Sequence, residues 1–584
     1  MKGVSAMPEL PMTDVRNSVD RVIHAYQGRL THGFAPASML IAYLDWLVHL
    51  LNSPGKVGEM LENASVKGWH FSAWMSHAAT DTEPSAVIKP LPQDRRFSNE
   101  AWQRWPFSPM YQGFLMAEQW WHYATTAVPG VSKHHEDMVA FGARQLLDVF
   151  SPSNFPWTNP EVIQATIDQG GANLQRGLQR YVEDLQDDLS GQRMKRVEAY
   201  PVGAAVAITP GKVVYRNRLI ELLQYEPTTP KVRSEPILVV PAWIMKYYIL
   251  DLSPHNSLVK YLVDQGYTVF MISWKNPGRE DRDLRFEDYL KLGIMQALHA
   301  VSAIVPDRKI HAAGYCLGGT LLAIAAAAMA RDGDDRLQSV SLFTAQTDFS
   351  EPGELKLFID EGQLAFMEDI MWEHGYLDNT HMAGVFQLLR SNDLIWSRMV
   401  REYLLGESGK VNDLMAWNSD TTRMPYRMHA QYLRQLFLHN DLAAGRFRVD
   451  DRPIAVSDIR APIFMVSTTK DHVAPWRSVY KAHLLVDTEL TFMLTTGGHN
   501  AGIVSEPGHP RRSYQMRTAK DQEIYISPDD WLAGTPTQQG SWWPAWQEWL
   551  AQRSGRRVNP PAMGAPESGY LPRGDAPGEY VLIP

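Results

Sequence analysis

His311-Ala-Ala-Gly-Tyr-Cys-Leu-Gly-Gly-Thr320 decides how this 584-residue chain is read. It carries the only cysteine, Cys316, framed by Gly314 and Gly318. An apolar run from Lys309 to Tyr315 precedes it and reads as a strand. An Ala/Leu-rich run from Leu317 to Arg331, with Gly333 beyond it, reads as a helix and its C-terminal stop. A nucleophile between glycines at a strand-to-helix turn is a nucleophile elbow. A Cβ at 314 or 318 would crowd the turn, and the helix N-terminus aims its N–H groups at the sulfur and favours thiolate. A lone cysteine is by itself more often a small buried hydrophobe, so the reading depends on the rest of the chain.

Length alone predicts two domains. Hydrophobic residues make up 45% and charged residues 21%, an ordinary globular balance. One cysteine excludes an intramolecular disulfide and a cysteine metal cluster, and fits a reducing cytosol. The net charge of −9, without a long basic run, argues against a nucleic-acid partner. Met1 to Asp20 lacks the continuous apolar core of a signal peptide. The apolar run Ala37 to Leu51 is broken by Asp45 and His49 and is too short to span a bilayer. Nine of the 19 tryptophans gather at 102–121 and 531–549, and they read mainly as packing groups.

Residues 1–195 read as a mainly helical domain, with helices expected at Ser38–Leu51, Gln112–Thr125, His134–Phe150 and Asn173–Leu189. Within them, His134-His135-Glu136-Asp137 reads as a solvated helix face and not a metal site, because adjacent side chains on a helix diverge by about 100°. Residues 196–584 read as α/β. A hairpin is expected at Lys212–Arg216 and Ile220–Tyr225. Strands are expected at Pro236–Val240, Tyr267–Ser273, Lys309–Tyr315, Ser339–Thr344, Pro462–Ser467 and Leu490–Leu494, with helices at Ser257–Gln265 and Phe286–Ile304 among them. That alternation predicts a mostly parallel sheet covered on both faces. The interval 350–448 interrupts it with helical, Met/Trp/Phe-rich sequence, and reads as a cap inserted above the C-terminal edge of the sheet.

A cysteine nucleophile needs a base, and the base needs an orienting group. In the hydrolase order of nucleophile, acid and histidine, the chain offers Asp471 directly after the strand ending at Ser467. It then offers His499 directly after the strand ending at Leu494. Both loops leave strand C-terminal ends, on the elbow's edge of the sheet. Asp348 is an alternative acid. His472, His509 and His311 are weaker bases by position, and His311 reads as a satisfied core group. The expected roles are Cys316 as attacking thiolate, His499 as general acid–base, and Asp471 either holding the histidine tautomer or activating an incoming hydroxyl. The oxyanion is expected to meet the backbone N–H of Leu317 and a second one at Trp243 or Ile244. A thiol both attacks and leaves well, which suits accepting an acyl group from a thioester and passing it on.

These stretches together resemble the polyhydroxyalkanoate synthases. The resemblance rests on Val240-Pro-Ala-Trp-Ile-Met-Lys-Tyr-Tyr-Ile-Leu-Asp251-Leu, Gly266-Tyr-Thr-Val-Phe-Met-Ile-Ser-Trp274-Lys-Asn-Pro277, Gly314-Tyr-Cys-Leu-Gly-Gly319, Lys470-Asp-His-Val-Ala-Pro-Trp476 and Gly498-His499. Ala416-Trp417-Asn418, Gly540-Ser-Trp-Trp-Pro and Ala576-Pro-Gly-Glu-Tyr-Val581 match as well, and Leu44-Asp-Trp-Leu-Val-His-Leu to Pro152-Ser-Asn-Phe is similar to the family's helical N-terminal domain. The length resembles the single-subunit, short-chain type.

The resemblance implies an α/β-hydrolase fold catalytic domain with a helical cap. It also implies polymerisation of (R)-3-hydroxyacyl-CoA into polyester with release of CoA, and the same roles for Cys316, Asp471 and His499. A homodimer, residence on cytoplasmic polyester granules, and no cofactor or metal apart from the CoA of the substrate are implied too. Two stretches depart from the family pattern. Pro241-Ala-Trp-Ile-Met245 stands where Pro-Pro and an Asn are usual, and Asn500 follows the histidine where Ile is common. The competing readings are a thioesterase or depolymerase on the same fold, and a granule scaffold.

Overall fold

A computed structural model describes residues 12–31, 33–78, 86–91, 94–190, 199–377, 391, 395–407, 409, 411–521 and 523–584. The chain forms two compact units. One comprises Met1–Gln27, Arg196–Asn379 and Val411–Pro584; the other comprises Gly28–Lys195 and Thr380–Lys410. The expected boundary between 195 and 196 lies outside the described residues, as does the part of the expected cap at 378–390. The interval 350–448 is shared between the two units, and the described residues 12–27 go with the sheet.

The first unit is built on an eleven-stranded sheet. Its strands are β1 Gly211–Arg216, β2 Ile220–Tyr225, β3 Ile237–Val240, β4 Val269–Trp274, β5 Ile310–Tyr315, β6 Leu337–Phe343, β7 Ile463–Thr468, β8 Leu490–Thr495, β9 Ser513–Ala519, β10 Thr537–Gln539 and β11 Gly574–Asp575. They lie in the order β10-β9-β8-β7-β6-β5-β3-β4-β2-β1-β11. The six central strands, β8 to β4 in that order, are parallel. The flanking pairs are antiparallel. β3, β4, β5, β7 and β8 are buried along their whole length. This is why their sequences are continuous apolar runs and not alternating ones. β9 and β10 are polar strands, β10 at the sheet edge and β9 beside it, and no apolar pattern betrayed them.

The helix Leu317–Arg331 after β5 is buried on nearly every side, from Leu317 to Met329. Its alanines let it lie close to the sheet. The segment Phe286–Ile304, expected as one helix, widens into a π-helical stretch at Tyr289–Met295. There Gly293 faces the Trp274 ring where a Cβ would clash, so the missing side chain makes room for a tryptophan.

The second unit holds helices Pro36–Leu51, Pro54–Ala78, Phe107–Thr125, Lys133–Val149, Pro160–Asp168 and Ala172–Ser190. Trp46 Nε1 donates to Ala124 O at 3.1 Å, and Arg96 pairs with Asp94, Glu118 and the fully buried Asp148. The segment expected as a solvated histidine face is half-buried. His135 Nδ1 lies 2.6 Å from Asp45 Oδ2 on a neighbouring helix, and Glu136 and Asp137 pair with Lys133. It is an interhelix contact, and among the described residues no group of three or more His, Cys, Asp or Glu could hold a metal ion.

Candidate active site

The elbow is strained where the sequence places the sulfur. Cys316 has φ 53° and ψ −125°, a conformation that costs a side-chain-bearing residue on the order of 1–3 kcal/mol and persists only where surroundings impose it. Those surroundings are close-packed backbone. A Cβ at Gly314 would meet Gly318 and Gly319, and one at Gly318 would run into the carbonyls of Val240 and Pro241. Cys316 N donates to Phe343 O of β6 at 2.8 Å, which ties the turn to the sheet. The sulfur is left partly exposed.

The topology brings the other two residues to it. β5, β7 and β8 all end on one edge, with Thr468 and Thr495 in register. The loops after β7 and β8 carry Asp471 and His499. His499 Nε2 lies 3.2 Å from Cys316 Sγ, and His499 Nδ1 donates to Asp471 Oδ2 at 2.8 Å. Asp471 Oδ1 accepts from Val473 N at 2.9 Å and Ala474 N at 2.8 Å, so the carboxylate is satisfied and aimed at the imidazole.

Burial works against an imidazolium here. The Asp471 carboxylate and the Cys316 sulfur outweigh it and raise the proton affinity of His499 to a pKa of about 10. At neutral pH the arrangement favours the imidazolium form of His499, 3.2 Å from the sulfur.

The alternatives go elsewhere. Asp348 Oδ1 is occupied by Ser350 N, Ser350 Oγ and Asn440 Nδ2. His311 sits between Ser339 Oγ at 2.6 Å and Ser554 Oγ at 3.0 Å, with its pKa pressed down to about 3 by burial. His509 Nδ1 bonds to the neighbouring Pro510 O at the surface.

The two expected oxyanion donors follow the C-terminal ends of two neighbouring parallel strands. Leu317 is the first residue of the elbow helix, so its N–H has no partner within that helix. Ile244 lies in the loop after β3, the strand beside β5.

Several contacting residues escaped the sequence reading. Tyr315 donates its hydroxyl to Asn500 Oδ1 at 2.6 Å, so the unusual Asn after the histidine has a partner on the strand that carries the nucleophile. Tyr432, whose phenol pKa is raised by burial, packs its ring 6.0 Å from that of Trp243 in the loop after β3. Trp542 and Trp543 donate their indole N–H groups to Gly502 O at 3.1 Å and Ile503 O at 3.0 Å. They fasten the loop that bears His499. The Trp-Trp pair was visible in the sequence as packing, but its targets were not.

Parallel strands, a strained elbow and a Cys–His–Asp relay at the C-terminal edge define an α/β-hydrolase-fold protein with cysteine in the nucleophile position. Comparison with known proteins agrees. Residues 235–506 match the alpha/beta hydrolase fold, residues 93–262 match "Poly-beta-hydroxybutyrate polymerase (PhaC) N-terminus", and residues 15–56 match "Poly-beta-hydroxybutyrate polymerase N terminal". The chain is 41% identical to the poly(3-hydroxyalkanoate) polymerase of Methylorubrum extorquens, over 86% of this chain and 82% of that one. It is 37% identical to the poly(3-hydroxyalkanoate) polymerase subunit PhaC of Rhizobium meliloti, over 84% and 80%. It is 35% identical to the corresponding subunit of Cupriavidus necator, over 95% and 93%. The chain belongs to the poly(3-hydroxyalkanoate) polymerase family.

Proposed function

We propose that this chain, an acyltransferase of polyhydroxyalkanoate synthesis, polymerises (R)-3-hydroxyacyl-CoA through an acyl thioester on Cys316. The unbroken relay from Asp471 through His499 to the sulfur carries this reading. The Cys316 thiolate attacks the thioester carbonyl, and the oxyanion forms against the N–H groups of Leu317 and Ile244. The bond to the CoA sulfur breaks, and imidazolium of His499 gives its proton to the departing thiolate. His499 then takes the proton of a 3-hydroxyl, whose oxygen attacks the acyl-cysteine and frees Cys316 for the next monomer. One oxygen of Asp471 accepts from His499 and the other from two amides of its own loop, which favours that role over direct activation of the hydroxyl. Nucleophile, base and orienting acid all come from side chains, so the cycle is written without a cofactor.

We read 196–584 as the catalytic domain, with 350–448 as its cap, and 1–195 as the helical domain. The protein is further proposed to work as a homodimer on cytoplasmic polyester granules. Among the described residues no helix is long and apolar enough to cross a membrane, in keeping with attachment to a granule surface.

The test supplies 3-hydroxybutyryl-CoA and follows free CoA and turbidity together. CoA release with insoluble polymer is expected, and Cys316→Ala should abolish both. CoA with soluble hydroxyacid would make the protein a thioesterase or depolymerase, and absence of CoA release would make it a scaffold. Turnover by Cys316→Ala would remove the sulfur from the mechanism.

A further inference from the structure

The loop after β3 is held through its carbonyls. Pro241 O accepts from Trp274 Nε1 at 2.9 Å, and Lys246 O accepts from Trp417 Nε1 at 2.7 Å. Between them, one residue holds two successive carbonyls. Thr422 Oγ1 donates to Trp243 O at 2.6 Å, and Thr422 N donates to Ile244 O at 3.1 Å. Met245 and Thr421 form an antiparallel bridge beside them. Thr422 is only 3% exposed, so water does not compete for these bonds.

The Trp243 carbonyl and the Ile244 N–H belong to the same peptide unit. That unit is planar, and in a trans peptide its C=O and N–H point in opposite directions. Fixing Trp243 O therefore fixes the direction of the Ile244 N–H. We propose that Thr422 is a positioning residue for the oxyanion hole, its hydroxyl setting the Ile244 donor against the thioester carbonyl. This rests on the acyl-cysteine reading above. Thr422 lies in the interval expected as the cap, so docking of the segment 417–422 and assembly of the hole are one event. A donor aimed by its own peptide plane needs no reorganisation as charge develops, which is the condition under which such donors act most strongly.

The test compares Thr422→Val, which removes the hydroxyl at nearly constant volume, with Thr422→Ser, which keeps it. Thr422→Val should lower kcat for CoA release about tenfold to a hundredfold with KM little changed, and Thr422→Ser should recover most of it. Alkylation of Cys316 by iodoacetamide, a displacement at carbon that builds no oxyanion, should keep its wild-type rate in both. If valine is not accommodated, Thr422→Ala makes the same comparison.

A kcat within about twofold of wild type for Thr422→Val would overturn the assignment, as would an alkylation rate that falls in step with turnover. Wild-type protein separates this inference from its premise. Continued CoA release after complete alkylation of Cys316 would remove the acyl-cysteine reading and this inference with it. A silent Thr422→Val in an enzyme that alkylation inactivates removes the Thr422 assignment alone.

Discussion

Asp471 presents one carboxylate oxygen to His499 and the other to two amides of its own loop. Oδ2 accepts from His499 Nδ1 at 2.8 Å, while Val473 N and Ala474 N fill Oδ1. The carboxylate is fixed in place by its own backbone, and it faces the sulfur only through the imidazole.

Asp471→Asn should keep that geometry and lose the charge. The His499 pKa, raised to about 10 in the native protein, should fall, and the basic limb of CoA release against pH should move to lower pH. At pH near 8 the rate should drop on the order of a hundredfold or more. An unmoved basic limb in a pH series would show that Asp471 does not hold the proton.

The same charge has a consequence for stability. A histidine whose folded pKa lies above its unfolded value stabilises the fold fully below the unfolded pKa, and loses that contribution as pH rises through the folded value. For His499 the window runs from about 6.5 to about 10. The melting temperature of the native protein should therefore fall more steeply across this window than that of His499→Gln. Parallel curves from scanning calorimetry would contradict it.

Gly318→Ala tests the close approach of the elbow to β3. The added methyl would strike the carbonyls of Val240 and Pro241, which are backbone atoms and cannot swing aside. We expect a loss of about 2–3 kcal/mol in chemical denaturation, as for other overpacked sites. Activity should fall further than this, because the loop that is pushed carries Ile244.

Asn500→Leu should leave the Tyr315 hydroxyl buried without its acceptor, at a cost of about 1–3 kcal/mol. Tyr315→Phe combined with Asn500→Leu should return much of it, since neither partner is then unpaired. A double-mutant cycle by urea unfolding measures the coupling. Additive losses would mean that the 2.6 Å contact carries no net stabilisation.

Much of the site was legible because its logic is local. A strand, a sharp turn and a helix fit into the twenty-odd residues around Cys316, and the glycines that permit the turn are adjacent in sequence. Asp471 and His499 were found because each directly follows an apolar run, so strand ends marked them. Thr422 and Tyr432 were not found, since nothing nearby in the chain distinguishes them. Their meaning lies in the distant loop after β3, whose carbonyls Thr422 meets and whose Trp243 ring Tyr432 packs against. The polar strands Ser513–Ala519 and Thr537–Gln539 lacked a buried face to generate a pattern. The helix Pro54–Ala78 was obscured by Gly55, Gly58 and Gly68, which lower intrinsic propensity yet have open space beside them in the fold.

The indole bonds from Trp542 and Trp543 to the carbonyls of Gly502 and Ile503 bear on how the enzyme is made. Translation delivers the sulfur, then the carboxylate, then the imidazole, and only some forty residues later the wedge that fastens the imidazole's loop. The three reactive residues thus precede in the chain the two indoles that hold the histidine loop, so a polypeptide cut just short of Trp542 would keep Cys316, Asp471 and His499 and lose both bonds to that loop.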